Sequence, residues 1–112
     1  MQMKTSSLLV FTLAALFAAP ACNVASSSTA KSDRVTAIES LEGDTASGST
    51  LFSGNCASCH GASGQGISGP SLTNVDETVL IDAMLSGPDA MPSFSGLTDQ
   101  QLADLTAFVV QI

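Results

Sequence analysis

Residues 55–61 read Asn-Cys-Ala-Ser-Cys-His-Gly, and this stretch decides how the rest of the chain is read. It sets Cys56 and Cys59 three positions apart and directly before His60, the one histidine in 112 residues. Side chains three and four positions apart share a face of a helical turn, so both sulfurs come to one side with the imidazole one step beyond.

Several objects could be held by such a cluster. A haem can take each thiol onto one vinyl group and place the imidazole beneath its iron, which is how C-x-x-C-H is used for covalent attachment. A structural zinc needs four ligands, whereas three N or S donors sit here and no second cluster follows. A redox-active dithiol expects a βαβ setting, and no strand alternation occurs anywhere in the sequence. A plain disulfide between the two cysteines leaves His60 without a role. Haem attachment through Cys56 and Cys59, with His60 on the iron, accounts for all three side chains.

The N-terminus is consistent with the export that such a site requires. Residues 1–21 show one basic residue, Lys4, then an apolar run from Leu8 to Ala19 broken only by Thr12, then Ala18-Ala19-Pro20-Ala21. That is the order of a secretory signal, and the apolar run is too short to span a bilayer. Cys22 follows directly. The segment resembles a bacterial lipobox, in which the cysteine is lipidated and becomes the first mature residue, although Ala19 stands where leucine is usual. Lipidation would tether the protein to a membrane; plain cleavage would leave a free thiol. The sequence therefore places the protein outside the cytoplasm, in a bacterial periplasm or cell envelope.

Without Lys4, two basic residues, Lys31 and Arg34, stand against ten acidic ones, a formal charge of 2 − 10 = −8. From Thr45 onward there is no Lys or Arg at all, against Asp76, Glu77, Asp82, Asp89, Asp99 and Asp104. Nucleic acid is excluded as a partner because nothing basic is available to neutralise its phosphates. A protein partner would instead offer a basic or an apolar dock.

Residues 22–47 are rich in Ser, Thr, Ala and Gly and read as a flexible linker, a coil of about 28 Å r.m.s. span, with at most a transient turn over Val35 to Leu41. Residues 48–112 form the folded domain. A domain this small is expected to complete its core with a staple or a cofactor. Three helices are predicted in it. The first runs from about Ser47 to Cys56. The second has Asn74 as N-cap with Glu77 three places on, carries Val75, Val79, Leu80, Ala83 and Met84 on one face, and stops at Gly87-Pro88. The third opens with Thr98 and Gln101 as a capping box and Leu97 as a staple, then repeats Leu102, Leu105, Phe108, Val109 and Ile112 at helical spacing.

With these elements in place, residues 48–112 resemble a small bacterial class I cytochrome c. The segment Gly48–His60, "GSTLFSGNCASCH", has that family's glycine eight positions and its aromatic, Phe52, four positions before the first haem cysteine. "GPSL" at 69–72 is similar to the segment whose proline carbonyl, here that of Pro70, accepts a hydrogen bond from the ligand histidine. "AMPSF" at 90–94 is similar to the methionine-ligand loop. The resemblance implies an all-α fold of three main helices and loops wrapped around one covalent haem c, with Gly48 letting the first helix cross the last beside Phe108. It implies Met91 as the sixth ligand, a soft thioether that raises the potential relative to a second histidine. Met84 and an open site are the alternatives. Leu51, Ile67, Leu72, Val79, Leu80, Met84 and Phe94 are candidates for the apolar wall of the haem, a role that merges with the core itself, and Phe52 joins that packing.

Haem propionates in this family are often held by Arg, Lys, Tyr or Trp, none of which occurs from Gly48 onward; the propionates would then face water or accept from neutral groups such as Gln65, Thr73, Asn74, Ser93 or backbone amides. The function implied is one-electron transfer in a respiratory-type chain through redox partner proteins, with no catalytic residues. The alternatives are the haem subunit of a larger oxidoreductase and a gas-binding sensor, which needs an open iron.

Overall fold

A computed structural model of the chain describes residues 25–112, so the signal segment and Cys22 lie outside the described residues. Five helices are formed, α1 Ala25–Glu39, α2 Thr45–Asn55, α3 Ala57–His60, α4 Glu77–Ser86 and α5 Asp99–Val109, with no strand among the described residues. The predicted all-α class is the observed one.

The frame of the fold is the crossing of α2 and α5. A Cβ on Gly48 would lie 2.0 Å from the carbonyl oxygen of Asp104 and 2.9 Å from Cβ of Phe108. Only a residue without a side chain lets the two backbones approach this closely. A second contact of the same kind was not foreseen in the sequence: at Gly43 the added atom would meet the Ala103 carbonyl oxygen at 2.2 Å. One turn beyond Gly48, Phe52 packs on Phe108 with ring centroids 5.2 Å apart, tilted by 52°, within the favourable range for aromatic pairs. Asp104 is buried here but accepts from the Asp44 amide at 2.8 Å and from Gln100 Nε2 at 2.9 Å, so its carboxylate is satisfied.

Helix boundaries follow the caps. Asp44 accepts from Ser47 N and opens α2 at Thr45, two residues earlier than expected. The expected capping box at Asn74 does not form. Asn74 turns the chain in the left-handed region at φ 57°, which asparagine tolerates, and Asp76 caps α4 by accepting from Val79 N. Gly87 ends α4 in the left-handed conformation, as a C-terminal glycine does. The Thr98–Gln101 capping box of α5 is present in both directions. Past Val109 the chain leaves the helix, with Ile112 still packed against the core.

The largest departure concerns the expected linker. Residues 25–39 are a helix docked on the domain, and Val35 and Ile38 are buried in the common core. Both basic side chains of this segment are committed. Lys31 pairs with Asp82 at 2.6 Å and donates to Ser86; its hydrogen bond holds the Asp82 carboxyl below the ordinary carboxylate pKa. Arg34 donates to Asp99 and to the carbonyls of Ser95 and Leu97, each at 2.8 Å, and Thr78 donates to Glu39. The segment's polar composition masks these few anchors: two apolar residues one turn apart suffice when α4 and α5 already offer a surface.

If α1 is an integral part of the core, Ile38→Ala destabilises the protein by about 2–5 kcal/mol. Denaturant unfolding of the variant measures this directly, and a midpoint equal to the parent's would return residues 25–39 to the status of a linker.

Candidate haem site

Cys56 ends α2 and starts α3, so the C-x-x-C-H segment is a helical turn hung from the α2–α5 crossing. Amides of Cys59 and His60 donate to the Cys56 carbonyl at 3.2 and 2.9 Å. Gly61, at φ 85°, then reverses the chain. The loop that follows folds back onto the same turn: Gly66 N donates to His60 O, and Ile67 N and Gly69 N donate to Cys59 O. No disulfide joins the two cysteines, of which Cys56 is buried and Cys59 exposed. Burial, reinforced by repulsion from Cys59, pushes the Cys56 thiol up to about 11, so it is protonated and uncharged at neutral pH.

His60 is buried, with 8% of its surface exposed, and its Nδ1 lies 2.8 Å from the Pro70 carbonyl oxygen. Because a carbonyl can only accept, Nδ1 carries the proton and donates, which leaves the Nε2 lone pair free for a metal. The neighbouring Gly69 makes this approach possible. A Cβ there would stand 2.9 Å from Cε1 and 3.1 Å from Nδ1 of His60.

Next to this turn is a cavity of about 440 Å³, inside the range of roughly 300–1,000 Å³ typical of ligand and cofactor sites. Cys56, Cys59 and His60 lie on one side of it. Val79, Leu80, Ala83 and Met84 of α4, Leu105 and Val109 of α5, and the loop carrying Met91, Pro92 and Phe94 line the rest. Pro70 and Leu72 also line it.

The cavity does not gather every residue expected at it. Ile67 and Leu51 are not among its lining, and Ile67 is 69% exposed on the surface: its amide is tied to Cys59 O, and the turn points the segment outward. Phe52 is core, 1% exposed against Phe108, rather than cavity wall. Gln65, Thr73, Asn74 and Ser93 do not line it either. Its polar margin is Asn55, Ser68, Ser71 and Asp89, which the sequence did not single out because isolated polar residues in loops carry no periodic signal.

The Met91 loop is tied to α4. Met91 N donates to Pro88 O at 3.0 Å, Phe94 N to Met84 O at 2.7 Å, and Ser93 Oγ to Leu85 O at 2.8 Å. Gly87 makes room for the loop, since a Cβ there would lie 2.5 Å from Ser93 N. Met84 is 2% exposed and belongs to the core cluster, while Met91 is half-buried on the cavity wall.

A donor set of two thiols and one oriented imidazole, facing an apolar cavity with a thioether on its wall, suits a haem attached covalently. Among the described residues no group of three or more His, Cys, Asp and Glu side chains is gathered to hold a bare metal ion. An all-α domain with this site is a c-type haem protein.

Comparison with known proteins agrees. Residues 43–109 match the family model described as cytochrome c oxidase, cbb3-type, subunit III, and the chain belongs to this cytochrome c family. It is 35% identical over 80 residues to cytochrome c6 of Thermosynechococcus vestitus, covering 62% of this chain and 71% of that one. It is 39% identical over 95 residues to the cytochrome bc1 complex cytochrome c subunit of Corynebacterium diphtheriae, covering 69% of this chain and 34% of that protein. The subunit of the same name from Mycobacterium tuberculosis is 42% identical over 82 residues, 65% of this chain and 29% of that one. The chain thus spans about a third of the length of these two bc1 subunits. No solved structure matches. The cofactor is one covalently bound haem c, and the protein is an electron carrier rather than an enzyme.

The Gly69–His60 contact predicts that Gly69→Ala displaces the imidazole from the Pro70 carbonyl and costs about 1–3 kcal/mol of stability. The Nδ1 proton of His60, followed by NMR, should lose its protection from solvent exchange in the variant. An equally protected proton would show the ring undisturbed.

Proposed function

We propose that the protein is an exported one-electron carrier in a respiratory-type chain, its iron held between His60 Nε2 and Met91 Sδ and its N-terminus anchored in a membrane by lipid on Cys22. The observation that carries the ligation is the 2.8 Å contact of His60 Nδ1 with Pro70 O, at a cavity whose lining includes both His60 and Met91. Haem c, when bound, supplies the Fe(III)/Fe(II) couple. The chain supplies the rest. Pro70 fixes the tautomer and the plane of His60, the α4 and α5 side chains exclude water, and Met91 fills the position that a substrate or gas would otherwise take. A soft sulfur and an apolar wall both favour the reduced state.

Lipid on Cys22 would hold the domain close to the bilayer. The described fold begins at Ala25, and three residues reach at most about 10 Å, so the anchor would be short rather than a long flexible leash. No helix among the described residues is long and apolar enough to cross a membrane. The second reading, a haem subunit working within a larger oxidoreductase complex, is favoured by the likeness to bc1 complex cytochrome c subunits; co-purification with a large membrane complex would distinguish it from a free carrier.

Optical spectra and intact mass of the mature holoprotein test the proposal together. The ferric protein should show the long-wavelength charge-transfer band of methionine ligation, and Met91→Ala should abolish it. Carbon monoxide should bind the ferrous Met91→Ala variant but not the parent; binding to the parent would indicate an open iron and a sensor. The mass should exceed that of the chain from Cys22 plus haem by its acyl groups. Electron transfer to a basic partner should slow as salt is raised, whereas a rate indifferent to salt would identify an apolar dock.

A further inference from the structure

Helix α1 lies before the residues matched to the family, which begin at 43, yet one of its side chains reaches the loop that carries Met91. The Arg34 guanidinium donates through Nη1 to Ser95 O, through Nη2 to Leu97 O and through Nε to Asp99 Oδ1, all at 2.8 Å. We propose that Arg34 is a positioning residue for the methionine ligand, a clamp on the C-terminal end of the Met91 loop; this rests on Met91 being the axial ligand.

The loop runs from Gly87 to Thr98 and has two differently built ends. At the first, α4 holds it through Leu85 O and Met84 O, which accept from Ser93 and Phe94. At the second, between Phe94 and the α5 cap at Thr98, the only internal backbone bond among the described ones is Leu97 N to Phe94 O. The carbonyls of Ser95 and Leu97 point out of this turn, and both find the same guanidinium. The planar fork of arginine turns three separate nitrogens toward two carbonyls and a carboxylate, whereas the three donors of a lysine all radiate from one nitrogen. Arg34 is itself fixed, because its neighbours Val35 and Ile38 are buried in the core. The bonds to Asp99 and to Leu97 O are partly buried, that to Ser95 O is exposed, and 30% of the Arg34 side chain is accessible, so the two partly buried charge-assisted bonds retain most strength.

Loss of the clamp frees the segment behind Met91, on the loop side of the cavity, while leaving the cysteines and His60 on the other elements untouched. The measurable consequence is a larger population of molecules in which the loop has swung away and the sixth position can be taken by an added ligand. The apparent affinity for such a ligand scales with that open fraction.

The test titrates imidazole into the ferric full-length holoprotein and follows the methionine charge-transfer band. Arg34→Gln is expected to bind imidazole about tenfold more tightly, the size of one lost charge-assisted hydrogen bond. Lys31→Gln is the control: it loosens α1 from α4 without touching the Met91 loop, and should stay within about twofold of the parent. Arg34→Lys, which keeps the charge but not the fork, gives a smaller rise in the same direction and serves if Arg34→Gln does not accumulate. Parental affinity in both Arg34 variants, or an equal rise in Lys31→Gln, overturns the clamp, since the effect would then be absent or merely one of stability. Survival of the band in Met91→Ala overturns the ligation itself and the clamp with it; its loss there, with Arg34 variants behaving as the parent, overturns the clamp alone.

Discussion

The rest of the structure depends on one close approach, the backbone of α2 at Gly48 against the Asp104 carbonyl of α5. Where a side chain would stand, there is an oxygen 2.0 Å away. Alanine would improve the helix by about 1 kcal/mol on intrinsic propensity, so propensity does not explain glycine here and steric exclusion does. The crossing fixes the direction in which α2 ends. Cys56 is both the last cap of α2 and the first of α3, so the same contact aims the cysteines and the histidine at the cavity. It also fixes the face of α5 that supplies Leu105 and Val109 to the cavity wall.

Around that frame the site is made of loops disciplined by carbonyls. Cys59 O receives two amides of the following loop and His60 O a third, and this brings Pro70 back over the imidazole. A histidine that donates to a carbonyl is a better and better-oriented ligand than a free one. Neutral surroundings suit this. The cavity lining is mostly apolar, so few groups there compete with the Pro70 carbonyl for the orientation of the ring.

How much of this the sequence discloses depends on how local the cause is. The C-x-x-C-H turn, the Thr98 capping box and the Gly87 stop are written in residues within four positions of each other, and they are where the sequence puts them. The crossing at Gly48 is long-range but was legible through resemblance, because a glycine and an aromatic keep fixed distances from Cys56. Gly43 makes the same kind of contact and has no such marker. At Asn74 two caps compete within three residues, and the one with a full carboxylate at the helix N-terminus, Asp76, wins. The fate of Ile67 was not legible either: its apolar character suggests a wall, while the backbone bond to Cys59 turns it to solvent.

Helix α1 is the clearest case of tertiary context overriding composition. Its sequence from Ala25 to Glu39 is mostly small and polar, and an isolated peptide of that kind would not hold a helix. Its stability comes instead from sites that only the folded domain offers: a groove for Val35 and Ile38, Asp82 for Lys31, and two outward carbonyls with Asp99 for Arg34. This has an electrostatic corollary. The only two cations of residues 22–112 are both spent on that side of the molecule, and neither lines the cavity. The margin of the cavity is left with Asp89 as its one charged side chain besides the cysteine–histidine turn. The described lining of the cavity therefore offers neutral and acidic groups and no cation.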